Sequence, residues 1–194
     1  SAPQVATVVP NSSLPTATLV NTGTITCSTT TVQVVATSTS SPITYNWTGT
    51  GIVSGASTPT IVVNAGGTYS LVLLNTSNSC SVTITNSVTA DNAAVTPTTT
   101  ASTTITCLTT TANVSTNAGS GSYTYNWSGT GVVGTSTLSS ATASLGGLYT
   151  VTVTNTANGC VGTGTVSVTS NTSTPTGVAI NPSTFTLSCA TPTT

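Results

Sequence analysis

The chain has 194 residues, no Lys, Arg or His, one acidic residue (Asp91) and a net charge of −1. Without cations it has nothing to neutralise nucleic-acid phosphates or to draw it onto anionic lipid, and none of its apolar runs approaches the roughly 20 residues of a membrane span. Thr and Ser are its commonest residues, so hydroxyls do the solvating that charges usually do.

Short runs of alternating apolar and polar residues, rich in β-branched side chains, predict strands throughout. In chain order these are Thr24–Cys27, Thr31–Thr37, Ile43–Thr48, Thr60–Ala65, Thr68–Asn75 and Cys80–Val88. Tyr45 and Trp47 share one face of the third strand, and Tyr69, Leu71 and Leu73 one face of the fifth. Gly66-Gly67 and Ser77-Asn78-Ser79 are turns between them, and scattered Pro and Gly leave no room for long helices. Short strands at regular spacing indicate a sandwich or barrel.

The whole pattern then repeats eighty positions later without a gap. Cys27, Tyr45, Asn46, Trp47, Gly66, Gly67, Tyr69, Asn75 and Cys80 recur as Cys107, Tyr125, Asn126, Trp127, Gly146, Gly147, Tyr149, Asn155 and Cys160. The expected organisation is a linker and first strand over 1–20, a first repeat over 21–90, a linker over 91–102, a second repeat over 103–170, a linker over 171–182 and the start of a third repeat over 183–194. Lacking an initiating Met or signal peptide, the chain reads as mature or excised material from inside a longer array. The expected core is Tyr45, Trp47, Tyr69, Leu71 and Leu73 in the first repeat, and Tyr125, Trp127, Tyr149, Val151 and Val153 in the second.

These residues resemble the Ig-like (PKD-like) tandem repeats of giant cell-surface adhesins of Bacteroidetes. That pattern runs through T-x-T-C, Y-x-W-x-G, G-x-Y-x-V-x-V-x-N and N-G-C. It is met by Thr24–Cys27, Tyr45–Gly49, Gly67–Asn75 and Asn78–Cys80, and again by Thr104–Cys107, Tyr125–Gly129, Gly147–Asn155 and Asn158–Cys160. The resemblance implies an all-β fold of tandem seven-stranded sandwiches in a secreted cell-surface filament or stalk, exported by the type IX pathway and related to the mobile adhesins of gliding bacteria. Family repeats often carry Asp near the domain exit. Here Asp91 is matched by Asn171, too few carboxylates for a calcium site, so neither a metal nor a cofactor is expected.

Catalysis lacks its ingredients. General acid–base chemistry needs a group titrating near neutrality, paired-carboxylate hydrolysis needs two acids, and the many Ser have no base to activate them. The chain is read as a non-enzyme with no catalytic residues.

Five Cys with no His and no close C-x-x-C pair point to disulfides in an oxidising, extracellular setting. Pairing within repeats would join Cys27 to Cys80 and Cys107 to Cys160. Strand alternation places those partners at opposite ends of a sandwich, about 23 Å apart for a seven-residue strand, whereas a bridge needs Cα atoms within about 7 Å. The preferred expectation is an inter-domain bridge, Cys27–Cys160, with Cys80, Cys107 and Cys189 pairing with repeats beyond the sequence. The intra-domain pairs stay open as the alternative.

Three functional readings are weighed. The first is a structural shaft associating end to end or laterally, with neighbouring repeats or other copies as partners and Val72 and Leu74 as a candidate assembly contact. The second is a module for surface polysaccharide, for which Tyr123, the least periodic aromatic, is the candidate platform. The third is an ice-binding Thr row (Thr150, Thr152, Thr154), which the first repeat breaks with Ser70, Val72 and Leu74. Asn46, Asn75, Asn113, Asn126 and Asn171 open N-x-Ser/Thr sequons, and Asn46 and Asn126, beside the core Trp but facing outward, are the available pair.

Overall fold

The computed structural model describes residues 11–134 and 136–174. Cys189 and the expected third repeat lie outside the described residues.

The first domain comprises β1 (Ala17–Asn21), β2 (Ile25–Thr26), β3 (Val32–Ser38), β4 (Ile43–Thr48), β5 (Ile52–Ser54), β6 (Thr60–Val63), β7 (Gly67–Asn75), β8 (Ser81–Val88) and β9 (Ala90–Asp91). One sheet runs β1-β3-β6-β5 and the other β4-β7-β8, and β2 pairs in parallel with β9. Counting β2 with β1 and β9 with β8, this is a seven-stranded Ig-like sandwich. The second domain repeats it with β10 (Thr98–Ala101), β11 (Ile105–Thr106), β12 (Ala112–Asn117), β13 (Tyr123–Ser128), β14 (Val132–Val133), β15 (Ser140–Ala143), β16 (Gly147–Asn155), β17 (Val161–Val168) and β18 (Ser170–Asn171). Its sheets run β10-β12-β15-β14 and β13-β16-β17, with β11 parallel to β18.

Each sandwich has its own core. In the first, Val34, Ile61, Val63, Tyr69, Leu71 and Leu73 are fully enclosed and Trp47 is buried. In the second, Trp127, Tyr149, Val151 and Val153 are buried with Val114, Ala141 and Ala143. Alternation makes this possible, since every second residue of β7 and β16 points inward. Each such side chain contributes about 1.5–3 kcal/mol on burial. Register places Trp47 opposite Leu71 and Trp127 opposite Val151. The polar tips of the large aromatics are satisfied: Trp47 Nε1 donates to the Thr58 carbonyl at 2.9 Å and Trp127 Nε1 to that of Leu138 at 3.1 Å.

Several expectations need correction. Tyr45 and Tyr125 are half-buried and pack against the cores rather than inside them, unlike Trp47 and Trp127 two residues further along the same strands. The stretch 91–102 is not a free linker. Asp91 ends β9, Val95 belongs to the second core, and Thr98–Ala101 is β10. Its Pro and Thr content suggested a connector, but Pro is tolerated at the start of an edge strand, and β10 is one. Likewise β18 includes Asn171, which the expected linker over 171–182 covers. The three-residue β5 has too short a run between Gly51 and Gly55 to be legible in the sequence.

Candidate functional site

The site that the two sandwiches build together is their joint. On the first domain it consists of the turn that follows β2. Thr26 N–H donates to the Thr29 carbonyl at 2.9 Å, and Thr29 N–H returns to Thr26 Oγ1 at 2.9 Å. This clasp presents Cys27 and Ser28. Beside it, β9 ends in Asp91, because β9 runs parallel to β2.

On the second domain the joint is the hairpin between β16 and β17. Asn155 N–H donates to the Cys160 carbonyl at 2.9 Å and Gly159 N–H to the Asn155 carbonyl at 2.8 Å. Asn158 Oδ1 accepts the Cys160 N–H at 2.9 Å, an Asx turn that fixes the loop. Gly159 has φ 72°, a left-handed conformation that glycine adopts without strain.

The hairpin sits on the clasp. Cys27 and Cys160 form a disulfide with Cα atoms 5.0 Å apart, across 133 residues of sequence. Asn158 Nδ2 donates to Asp91 Oδ1 at 3.0 Å. The Asn158 carbonyl accepts from Ser28 N at 3.2 Å and lies 3.3 Å from Ser28 Oγ. The contact leaves Asn158 2% exposed and Cys160 1% exposed. A Cβ on Gly159 would lie 2.7 Å from Ser28 Cβ, so the residue must be small for the surfaces to close. The only charged side chain of the protein therefore accepts a hydrogen bond at the joint, where carboxylate–amide bonds are stronger than neutral ones.

Neither intra-domain pair exists in the structure, since Cys27 and Cys160 are bonded to each other. Among the described residues, Cys80 is half-buried and Cys107 exposed, both without a disulfide. Sequence reasoning weighed Asp91 as a calcium ligand and read Asn158–Cys160 only as the N-G-C element of the repeat pattern. It missed Ser28, Asn158 and Gly159 as joint residues. Asn11, eighty positions before Asp91, has its own Oδ1 3.4 Å from Asn78 Nδ2, so the same contact recurs at the first domain's hairpin.

The other candidates lie apart from the joint. Val72 is half-buried and Leu74 is 37% exposed, on the outward face of β7 opposite Asn46 and Thr44. Asn46 and Asn126 are exposed on the same face of their domains. A glycan on Asn46 would cover Val72, so the two suggested uses of this face exclude each other. Tyr123 is half-buried against the second core, and its hydroxyl donates to the Ser120 carbonyl at 3.0 Å.

The sheet topology defines an all-β protein of tandem Ig-like sandwich domains. No known sequence family matches the chain, and no curated protein matches it. Among solved structures it is similar to three N-terminal domains of the outer capsid protein Hoc of bacteriophage RB49, with 17% identity, TM-score 0.45, and coverage of 80% of this chain and 59% of that one. It is also similar to a C-terminal intimin fragment solved with the intimin-binding domain of its receptor Tir, at 13% identity and TM-score 0.37 over 79% of this chain and 64% of that one. A third is the pair of titin domains Z1Z2 in complex with telethonin, at 16% identity and TM-score 0.30 over 86% of this chain and all of that one. The chain spans less than two thirds of the first and second of these. A disulfide linking two Ig-like domains fits a surface or secreted module.

Proposed function

We propose that the chain is part of the structural shaft of an extracellular, cell-surface filament or adhesin, built from disulfide-stapled Ig-like repeats that associate end to end or laterally. One observation carries this reading: the joint is closed by a covalent bond and by hydrogen bonds from both domains, Asn158 to Asp91 and Ser28 to Asn158. Domains joined by an ordinary linker move relative to one another. A staple at the joint converts such a string into a stiff spacer. The work of the molecule is then mechanical, with the sandwich ladders resisting extension and the disulfide preventing the joint from opening.

The resemblance to Bacteroidetes surface repeats supports the same reading and adds type IX export and gliding-type adhesins as its source. Partners are neighbouring repeats and other copies of the same array. Immunogold labelling of producing cells with antibodies against the chain tests it. Labelled fibres projecting from the surface are the expected result. Label spread through the medium, with unlabelled surfaces, would remove the shaft reading.

A further inference from the structure

The far end of the second domain repeats the clasp that the first domain uses. Thr106 N–H donates to the Thr109 carbonyl at 2.8 Å, and Thr109 N–H to Thr106 Oγ1 at 3.0 Å. Between them Cys107 is exposed and Leu108 is 97% exposed. Leu108 occupies the place of Ser28, and its N–H, which in the filled joint serves the hairpin, turns back to Thr106 Oγ1 at 3.3 Å.

The opposite end of the first domain repeats the hairpin. Asn75 N–H donates to the Cys80 carbonyl at 2.9 Å, and Cys80 N–H to Asn78 Oδ1 at 3.0 Å. Asn78 Nδ2 donates to the Ser13 carbonyl at 3.0 Å, on the chain segment that enters the domain. Among the described residues there are thus one filled joint, one clasp with no hairpin on it and one hairpin with no clasp on it, all with the same backbone hydrogen bonding.

This clasp and this hairpin do not match. In the filled joint Gly159 meets Ser28, and any Cβ on Gly159 would lie 2.7 Å from that of Ser28. The unused hairpin has Ser79 in this place, held at φ 59°, and the uncovered clasp has Leu108. Docked in the same way, the Cβ of Ser79 would enter that of Leu108. Both atoms are fixed by the backbone, so no rotamer change relieves the contact.

We propose that the end of the second domain around Cys107 and Leu108 docks a neighbouring Ig-like repeat whose hairpin reads Asn-Gly-Cys, and that the residue before the hairpin cysteine gates the joint. Glycine admits the closed, disulfide-bonded form. Ser79 bars Cys80 of this chain from closing onto Cys107 of a second copy. The gate deepens the shaft reading, on which it rests, by setting which repeats can follow one another. Closing such a joint removes two electrons and two protons from two thiols; a small-molecule disulfide takes them up and leaves as two thiols.

The test uses the full chain with its Cys27–Cys160 bridge intact, in a buffer of reduced and oxidised glutathione. Wild type is compared with Ser79→Gly and with Ser79→Gly/Cys107→Ser on non-reducing gels. Ser79→Gly removes a left-handed non-glycine residue, so it does not threaten folding. Ser79→Gly is expected to form a ladder of linked chains, wild type about tenfold less, as overpacking of this kind implies, and the double variant none. Peptide mapping of the ladder should give Cys80–Cys107 between chains. The gate is overturned by a wild-type ladder as fast as that of Ser79→Gly, by no ladder from Ser79→Gly, or by a bridge from Cys80 or Cys107 to Cys189. The shaft reading stands or falls separately, on the labelled fibres.

Discussion

A Cβ on Gly49 would lie 2.5 Å from the Tyr69 ring, and one on Gly129 would lie 2.6 Å from the Tyr149 ring. The Tyr-x-Trp-x-Gly run therefore has a packing cause: Trp47 enters the core and Gly49 leaves room for the tyrosine behind it. Gly49→Ala should lose about 1–3 kcal/mol by overpacking, read as a lower urea midpoint; an unchanged midpoint would mean that the ring is free to move. Beyond that glycine, the Tyr69 hydroxyl lies 2.6 Å from the carbonyl oxygens of both Thr50 and Ala65. Burial holds the Tyr69 phenol above its ordinary range. A phenol raised by folding is favoured neutral in the native state. Its contribution is thus complete below the ordinary phenol value of about 10 and is lost as pH climbs beyond it. Stability should decline above about pH 10, and Tyr69→Phe should weaken that decline. An alkaline profile identical in the variant would show that Tyr69 is not its source.

The element that matters most is the hairpin between β16 and β17. It holds Asn158 in an Asx turn while the same side chain reaches Asp91. Asn158→Ala removes both bonds and leaves the Asp91 carboxylate without this donor. A cost of about 1–3 kcal/mol is expected, together with easier reduction of Cys27–Cys160; reduction at the wild-type rate would show that the amide does not hold the joint. The strands were legible in the sequence because their alternation is strong: Tyr69, Leu71 and Leu73 share a face in β7 as Tyr149, Val151 and Val153 do in β16. Strand alternation also puts Cys27 and Cys160 at one joint, and in the structure these two are bonded. What stayed hidden was short or depended on tertiary contact. β5 has only three residues. β10 lies in a Pro- and Thr-rich stretch whose composition suggests a linker. Ser28, Asn158 and Gly159 acquire their meaning only when two domains meet, and no local pattern in either repeat records the other's surface.

At the scale of the whole molecule, the near-absence of charge sets the response to solvent. One acidic side chain and no basic ones leave little for salt to screen. Melting temperatures should therefore stay nearly constant between pH 7 and pH 4 and from low to high salt; a collapse over that pH range would require titrating groups that the sequence lacks. The stiffness of the pair depends instead on the joint. The most direct measurement is proteolysis of the unreduced protein, with thiols blocked, followed by mass mapping of the linked peptides. The expected result is a peptide pair joining Cys27 to Cys160, which vanishes on reduction. A pair joining Cys27 to Cys80, or Cys107 to Cys160, would contradict the stapled joint and return the molecule to two independently bridged domains on a flexible connection.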